Sequence, residues 1–199
     1  TEQEESERRQ KEFAERSQIF MEALDVDEVI AQLLVTEGFA TVEEIAYVDL
    51  SEIAHIEGFD EETAQEIQTR AREYLERIEQ ERDARRKELG VSDDLAQVPG
   101  MTTAMMVALG ENGIKTLEDF ADCATDDLVG WTERKKDKDG EVIRHKGILD
   151  GFELSRKEAE DMIMAARMIL GWIEPPAEEA AEGEESDAAE PAGDTGSSA

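Results

Sequence analysis

The sequence predicts an all-α protein built from two related helical repeats that are joined by a long charged helix. A nine-residue pattern at residues 38–46 returns 75 residues later at residues 113–121. Each copy leads to a hydrophobic–x–Gly–hydrophobic turn, at residues 56–59 and 149–152, and then to a helical run. Apolar residues otherwise recur every three to four positions, which is the spacing of an amphipathic helix. A turn of this kind between two helices is typical of tandem helix-hairpin-helix (SAM-like) domains.

Composition favours two small domains over one large globule. The chain has 199 residues, a net charge of −31, 39 % apolar residues and 5 % aromatic residues, which is a lean supply for one large core. No apolar run approaches the ~18 residues that a membrane span requires, so we expect no membrane association and a cytoplasmic location. The chain starts at Thr1 without Met and is expected to be a fragment of a longer protein. Cys123 is the one cysteine, which excludes an intramolecular disulfide, and we expect it to be a small buried residue.

The first predicted element is a connector helix over residues 1–22. Its acidic and basic residues alternate and its apolar residues are few, Phe13 and Phe20 being the best anchors. A helix with this pattern is typically exposed or bridges two domains.

The first repeat is predicted over residues 23–78. An apolar stripe from Val26 to Leu34 forms one helix face. Thr41 and Glu44 have the spacing of a capping box that opens the next short helix. Asp60 then caps a long helix whose inward positions continue to Ile78.

The second repeat, residues 91–172, follows a charged helical spacer over residues 79–90. Thr116 with Asp119 takes the place of the first capping pair, and Ser155 opens the last helix. About 20 extra residues separate the matched segments, and we assign them to an insertion at 132–150. Within it, Asp139-Gly140 flanked by Glu141, Val142 and Ile143 predicts a small β-hairpin. Residues 173–199 form an acidic tail with no Lys or Arg, which we expect to be disordered.

The sign of the charge decides how the hairpin turns at Gly58, Gly100 and Gly151 are interpreted. Helix N-termini after such turns present N–H groups suited to an anion, and on DNA they are reinforced by Lys or Arg. The segment 17–69 has no Lys or Arg and 14 acidic residues, so we expect no DNA binding by the first repeat. A turn that only packs two helices is the simpler interpretation for all three.

The insertion leaves an alternative open for the second repeat. Its basic residues suit a nucleic-acid-binding module that uses the second hairpin; they are Arg134, Lys135, Lys136, Lys138, Arg144 and Lys146. Four acidic residues nearly cancel this charge, so a solvated loop is the competing explanation.

No pattern points to an enzyme, a metal site or a cofactor. There is no phosphate-binding loop and no dinucleotide-binding glycine pattern, and neither histidine lies near a candidate nucleophile. A cluster of six methionines is interpreted as core, with an adaptable binding patch as the alternative; they are Met101, Met105, Met106, Met162, Met164 and Met168. Trp131 and Trp172 are interpreted as core or lid residues, with partner docking as the alternative.

Residues 24–75 and 95–172 resemble the tandem C-terminal acidic repeats of the bacterial transcription elongation factor NusA. The resemblance lies in the segments 24–28, 37–48 and 56–61 of the first repeat and 113–119 and 163–167 of the second. Residues 1–16 look like the segment that follows the second KH domain in that family, whose RNA-binding domains are absent here.

The resemblance implies a protein-docking region. Its implied partners are the C-terminal domain of the RNA polymerase α subunit, antitermination proteins and the factor's own RNA-binding domains, whose RNA binding it would regulate. The insertion at 132–150 departs from the compact second repeat of the family. From charge and helix position, the candidate contact residues are Asp119, Asp122, Asp126 and Asp127 in the second repeat and Glu43, Glu44, Asp49 and Glu52 in the first.

Overall fold

The computed structural model describes residues 1–135 and 140–176, and these residues are mostly helical. The helices are α1 Glu2–Leu24, α2 Glu28–Thr36, α3 Val42–Tyr47, α4 Leu50–Ala54, α5 Glu61–Leu89, α6 Thr103–Glu111, α7 Leu117–Ala121, α8 Thr125–Val129 and α9 Arg156–Ile169. A 3-10 helix, Asp93–Gln97, precedes α6, and the strands β1 Trp131–Arg134 and β2 Val142–His145 lie between α8 and α9. The predicted all-α fold with a small hairpin in its second half is confirmed. None of the helices in the described ranges has the length and apolar character needed to cross a bilayer.

The chain forms two compact units, residues 1–84 and 85–199, and the division falls within α5. Each unit has its own apolar core. The largest fully buried side chains of unit 1 are Phe20, Leu24, Leu34, Ile45 and Ile53. Those of unit 2 are Leu95, Val98, Leu109, Phe120, Leu128 and Leu149.

The end of α1 belongs to the core of unit 1. Residues 1–16 are exposed, as the alternating charges predicted. Phe20 and Leu24, however, are fully buried in the core cluster of unit 1. They are four residues apart and so lie on one helix face, which packs inward while the charged turns before it stay in water.

The threonine caps predicted from the two copies of the repeated pattern are formed. The hydroxyl of Thr41 accepts a hydrogen bond from the backbone N–H of Glu44 at 3.2 Å. The hydroxyl of Thr116 accepts from the N–H of Asp119 at 3.1 Å. Each bond satisfies one of the backbone donors that a helix leaves without an intrahelical partner.

A pair of arginines shows that the two units are built alike. In unit 1 the Nε of Arg72, on α5, donates to the carbonyl of Ala46 at 3.0 Å. In unit 2 the Nε of Arg167, on α9, donates to the carbonyl of Ala121 at 2.9 Å. The alanines are 75 residues apart and the arginines 95, which are the two offsets of the sequence repeat.

The insertion forms the predicted antiparallel hairpin and is held at its base by the main chain. Trp131 pairs with His145 in the register of β1 and β2. Beyond the strands, Ile148 and Leu149 donate backbone hydrogen bonds of 2.8 Å to carbonyls of α8. The approach is so close that a Cβ on Gly147 would lie 2.2 Å from the carbonyl oxygen of Leu128.

Two sequence predictions fall partly outside the described residues. The predicted Asp139-Gly140 turn includes residues of the segment 136–139, and most of the acidic tail lies in 177–199. Both segments lie beyond what the structure describes.

Substituting Gly147→Ala should destabilise unit 2 by ~1–3 kcal/mol, because the added methyl overlaps backbone that cannot rotate away. Chemical denaturation measured by circular dichroism gives this difference. The matched control is Lys146→Ala, an exposed neighbour expected to change the unfolding free energy by less than about 0.5 kcal/mol. Equal stability of the two variants would contradict the close approach.

Candidate docking surfaces

The three hairpin glycines lie in turns that require them. Gly58 and Gly151 have φ angles of 91° and 94°, and Gly100 has a φ of 82°. These left-handed conformations are disfavoured for residues with a Cβ. The first turn is closed by a hydrogen bond of 3.0 Å from the N–H of Phe59 to the carbonyl of Ile56, and the other two turns are closed in the same way.

The helices that follow the repeated turns already hold carboxylates of this chain. At the start of α5, Oδ1 of Asp60 accepts a hydrogen bond from the N–H of Thr63 at 2.7 Å. At the start of α9, Glu158 accepts from the N–H of Ser155 at 2.8 Å, and the Ser155 hydroxyl accepts from the N–H of Glu158 at 3.1 Å. These positions would otherwise offer donors to a phosphate.

The same hydrogen bonds lower the pKa values of the capping carboxyl groups. Hydrogen bonds from Thr63 hold the pKa of Asp60 below its usual value of 3.8. Hydrogen bonds from Ser155 likewise lower the pKa of Glu158 below 4.5. Both groups therefore remain negatively charged at neutral pH, so the helix starts carry negative charge.

Two of the four Lys and Arg residues described in the insertion are paired with acids. Arg144 forms an ion pair with Asp150 at 2.7 Å and Lys135 with Glu141 at 3.3 Å, and a ring nitrogen of His145 is hydrogen-bonded to Glu133 at 3.3 Å. Arg134 and Lys146 have no ion pair within the described ranges. Lys136 and Lys138 lie outside those ranges. This pairing reduces the positive field on which the nucleic-acid alternative depends.

Three of the eight candidate carboxylates serve as local caps. Glu44 accepts from the N–H of Ala40 at 2.8 Å. Asp119 accepts from the N–H of Thr116 at 3.1 Å, and backbone hydrogen bonds of this kind lower its pKa below 3.8. Asp127 accepts from the residue before α8 at 2.9 Å. These side chains hold helix ends in place, so substituting them would disturb local structure as well as surface charge.

The other five candidates divide according to whether they have a partner. Asp126 forms an ion pair with Arg156 of α9. Glu43, Asp49, Glu52 and Asp122 are exposed, and within the described part of the chain their carboxylates form no hydrogen bond or ion pair. A basic partner would therefore meet these four without first breaking an intramolecular contact.

A groove of about 810 Å³ in unit 1 places acids beside an exposed aromatic ring. Glu44 and Glu52 line it together with Glu37 and His55, and Tyr47 projects into solvent with 75 % of its surface exposed. Carboxylates next to an aromatic face suit a Lys or Arg side chain. The sequence prediction named Glu44 and Glu52 but missed Tyr47. The position of Tyr47 between the inward-facing Ala46 and Val48 was the sequence signal that could have indicated an outward-facing ring.

Cys123 is an inert buried thiol. Its Sγ donates to the carbonyl of Asp119 at 3.4 Å. Burial raises its pKa to about 11, and the negative charges of Asp127, Asp119 and Asp122 add to the effect. Within residues 1–135 and 140–176, no three His, Cys, Asp or Glu side chains gather in a way that would bind a metal ion.

The prediction that the methionines and tryptophans are core residues holds for only some of them. Met105, Met106 and Met162 are buried in the core of unit 2, but Met164 is exposed. Trp131 and Trp172 are 46 % and 49 % exposed, so neither is a core residue. Trp131 stacks on the ring of His145, with 4.1 Å between centroids.

Comparison with known proteins agrees with the fold. Residues 21–73 and 92–130 match the family described as SAM-like helix-hairpin-helix tandem. Over 128 residues, 64 % of this chain, the sequence is 41 % identical to the transcription termination/antitermination protein NusA of Rickettsia prowazekii (strain Madrid E). Identity to NusA of Rickettsia conorii is 40 % over the same length. The predicted resemblance to NusA is confirmed. The aligned region covers 25 % of each of these NusA proteins, so the chain matches about a quarter of their length.

The lowered pKa values predict how acid should act on the hairpin caps. Asp60 has a lower pKa when folded than when unfolded, so its cap stabilises the fold above pH 3.8 and loses this effect as pH falls through the lowered value. In Asp60→Asn the amide oxygen still accepts the capping hydrogen bond, but the side chain is neutral. The loss of stability relative to wild type should be present at pH 7 and shrink as the pH falls from 3.8 through the lowered pKa of Asp60. Denaturant unfolding at several pH values measures it, and a difference independent of pH would contradict the assignment.

Proposed function

We propose that this chain is the protein-docking region of a transcription termination/antitermination factor and that it binds basic protein surfaces of the transcription machinery. The observation that carries the proposal is that Asp60 and Glu158, acids of the chain itself, occupy the helix starts after both repeated hairpins. A scaffold that elsewhere offers these positions to phosphate here presents negative charge. The similarity to NusA supports the transcriptional setting.

The proposed partners are the C-terminal domain of the RNA polymerase α subunit, antitermination proteins and the RNA-binding domains of the same factor. Support comes from the resemblance and from the net charge of −31. An acidic surface speeds encounter with basic partners and repels nucleic acid, and salt screens both effects. Contact with the factor's own RNA-binding domains would compete with RNA and so regulate RNA binding.

Two weakly binding repeats are sufficient for a tether. In the proposed organisation, residues 23–78 and 91–172 are docking repeats, residues 79–90 are a spacer, and residues 1–22 connect to the RNA-binding region. When one repeat is docked, the second binds at a raised effective concentration, so the pair holds the factor more firmly than either repeat alone. The carboxylates proposed for contact are the four that form no hydrogen bond or ion pair with residues 1–135 or 140–176: Glu43, Asp49, Glu52 and Asp122.

The test is an NMR titration of the 199-residue chain with the isolated C-terminal domain of the polymerase α subunit. We expect chemical-shift changes around Asp122 that Asp122→Lys reduces, with an affinity about fivefold to tenfold weaker, since the like charges then repel. Asp94→Lys makes the same charge change on another exposed element of unit 2 and should have a smaller effect. No shift change with the wild-type chain, or equal effects of both variants, would contradict docking at this surface.

A parallel titration with duplex and single-stranded oligonucleotides separates protein docking from the nucleic-acid alternative. We expect no measurable binding at physiological salt, because Lys135 and Arg144 are paired with acids and the chain carries a net charge of −31. Micromolar binding that weakens steeply with salt, and is lost in Arg134→Glu, would support the alternative.

A further inference from the structure

A second surface of unit 2 has a different chemistry. A groove of about 980 Å³ lies between the turn at residues 98–101 and helix α9. We call it the Met groove, and it is lined by Pro99, Leu154, Met162, Met164, Met168 and Ile173, among others. None of the candidate contact residues predicted from sequence lies in it.

The corresponding face of unit 1 is polar. The offset of 95 that relates Arg72 to Arg167 also relates residues 69–77 of α5 to residues 164–172. Five outward positions of α9 and its end are Met164, Ala165, Met168, Ile169 and Trp172; their counterparts in unit 1 are Thr69, Arg70, Glu73, Tyr74 and Arg77. Unit 1 folds with mostly polar residues at these positions, so the repeat does not need apolar ones there for its own stability.

In unit 1 an arginine side chain spans the equivalent of the groove. Nη1 of Arg70 donates to the carbonyls of Leu24 and Asp25 at 3.2 and 3.1 Å. By the offset of 75, these residues correspond to Pro99 and Gly100, the turn that forms one wall of the Met groove. Ala165 stands where Arg70 would be and has no group to bridge helix and turn. The space is therefore filled in unit 1 and open in unit 2.

The open face is apolar and exposed. Met164, Ile169 and Trp172 are 39 %, 43 % and 49 % exposed, and they lie one after another along α9 and its end. Contiguous apolar surface rimmed by polar residues marks an interaction site. The flexible thioethers of Met164 and Met168 suit an adaptable groove.

The rim of the groove carries negative charge. Glu158, Asp161 and Glu174 line it. The ion pair with Lys157 neutralises part of the charge of Asp161. Glu158 also caps α9, and Glu158 and Glu174 are the other two acidic residues that line the groove. An occupant must therefore combine apolar side chains with flanking Lys or Arg.

We propose that the Met groove binds an amphipathic, basic helix of a partner protein, with its apolar face on Met164 and Met168 and its cations toward Glu158 and Glu174. A helix laid along α9 buries the exposed apolar stripe in the helix-in-groove manner. A second copy of this chain would bring two acidic rims together. Residues 177–199 contain eight acidic and no basic residues, so they lack the complementary charge. Apart from Glu158, this proposal uses residues separate from those of the proposed docking function.

The test uses the 199-residue chain and a synthetic leucine–lysine peptide with leucines at helical spacing. A scrambled peptide of the same composition is the matched control for charge alone. Binding is followed by NMR shift mapping and by tryptophan fluorescence in a Trp131→Phe background, which leaves Trp172, the neighbour of the groove-lining Ile173, as the single fluorescent tryptophan. We expect the helical peptide to shift residues of α9 and to bind about tenfold or more tightly than the scrambled one, since only the helical order buries apolar side chains together.

The variants copy residues of unit 1 into unit 2. Met168→Glu combined with Ala165→Arg should weaken helical-peptide binding about tenfold, which is the effect of losing one buried apolar side chain. Met164→Thr is a milder second variant, and Val29→Glu, an exposed residue of α2 in unit 1, is the control expected to change affinity less than about twofold. The spectrum of each variant shows whether it is folded.

Equal binding of the helical and scrambled peptides would overturn the proposal, as would unchanged affinity in folded Met164→Thr and in the double variant. A concentration-dependent dimer that Met168→Glu abolishes would assign the groove to a second copy instead, and this also overturns it. None of these outcomes changes the effect of Asp122→Lys on the polymerase domain, so the two proposals fail separately.

Discussion

The unsatisfied backbone donors at helix starts are the constraint from which the rest of the structure follows. Every short helix in a small domain leaves N–H groups without intrahelical partners, and something must accept from them. At most of the described helix starts the acceptors are hydroxyls and carboxylates of the chain itself, among them Asp27 at α2 and Glu158 at α9, whereas α4 has no side-chain cap. Because these acceptors include ionised acids, the same bonds that close the helices also make the hairpin surfaces negative. Fold and sign of charge therefore have one origin.

Sequence reasoning succeeded where the physics is local. Helical periodicity, a threonine followed three residues later by an acid, and Gly in a tight turn each depend on a few neighbouring residues, so Thr41, Thr116 and Gly58 could be assigned in advance. It was less complete where a side chain has two roles. Asp127 was predicted only as a contact residue from its charge, and it caps α8 as well. Only coordinates show which carboxylates lack an internal partner.

Long-range contacts account for most of what periodicity missed. The hydrogen bond from Arg72 to the Ala46 carbonyl joins residues 26 positions apart, and no sequence pattern in either segment predicts it. The burial of Phe20 depends on α2 folding back against α1. The exposure of Trp172 likewise depends on what packs around the end of α9. The two units share equivalent positions, so a contact in one unit identifies the equivalent contact in the other.

The base of the inserted hairpin has a consequence for how proteins of this kind can change. The hairpin is joined to α8 by backbone hydrogen bonds and by the close approach of Gly130 and Gly147, and of its strand side chains Arg144 adds an ion pair to Asp150. Mutations toward the tip are thus insulated from the globular body. Over evolutionary time the segment is free to lengthen, shorten or acquire new surface chemistry, and in the laboratory it is a natural place for a fluorophore or a grafted loop.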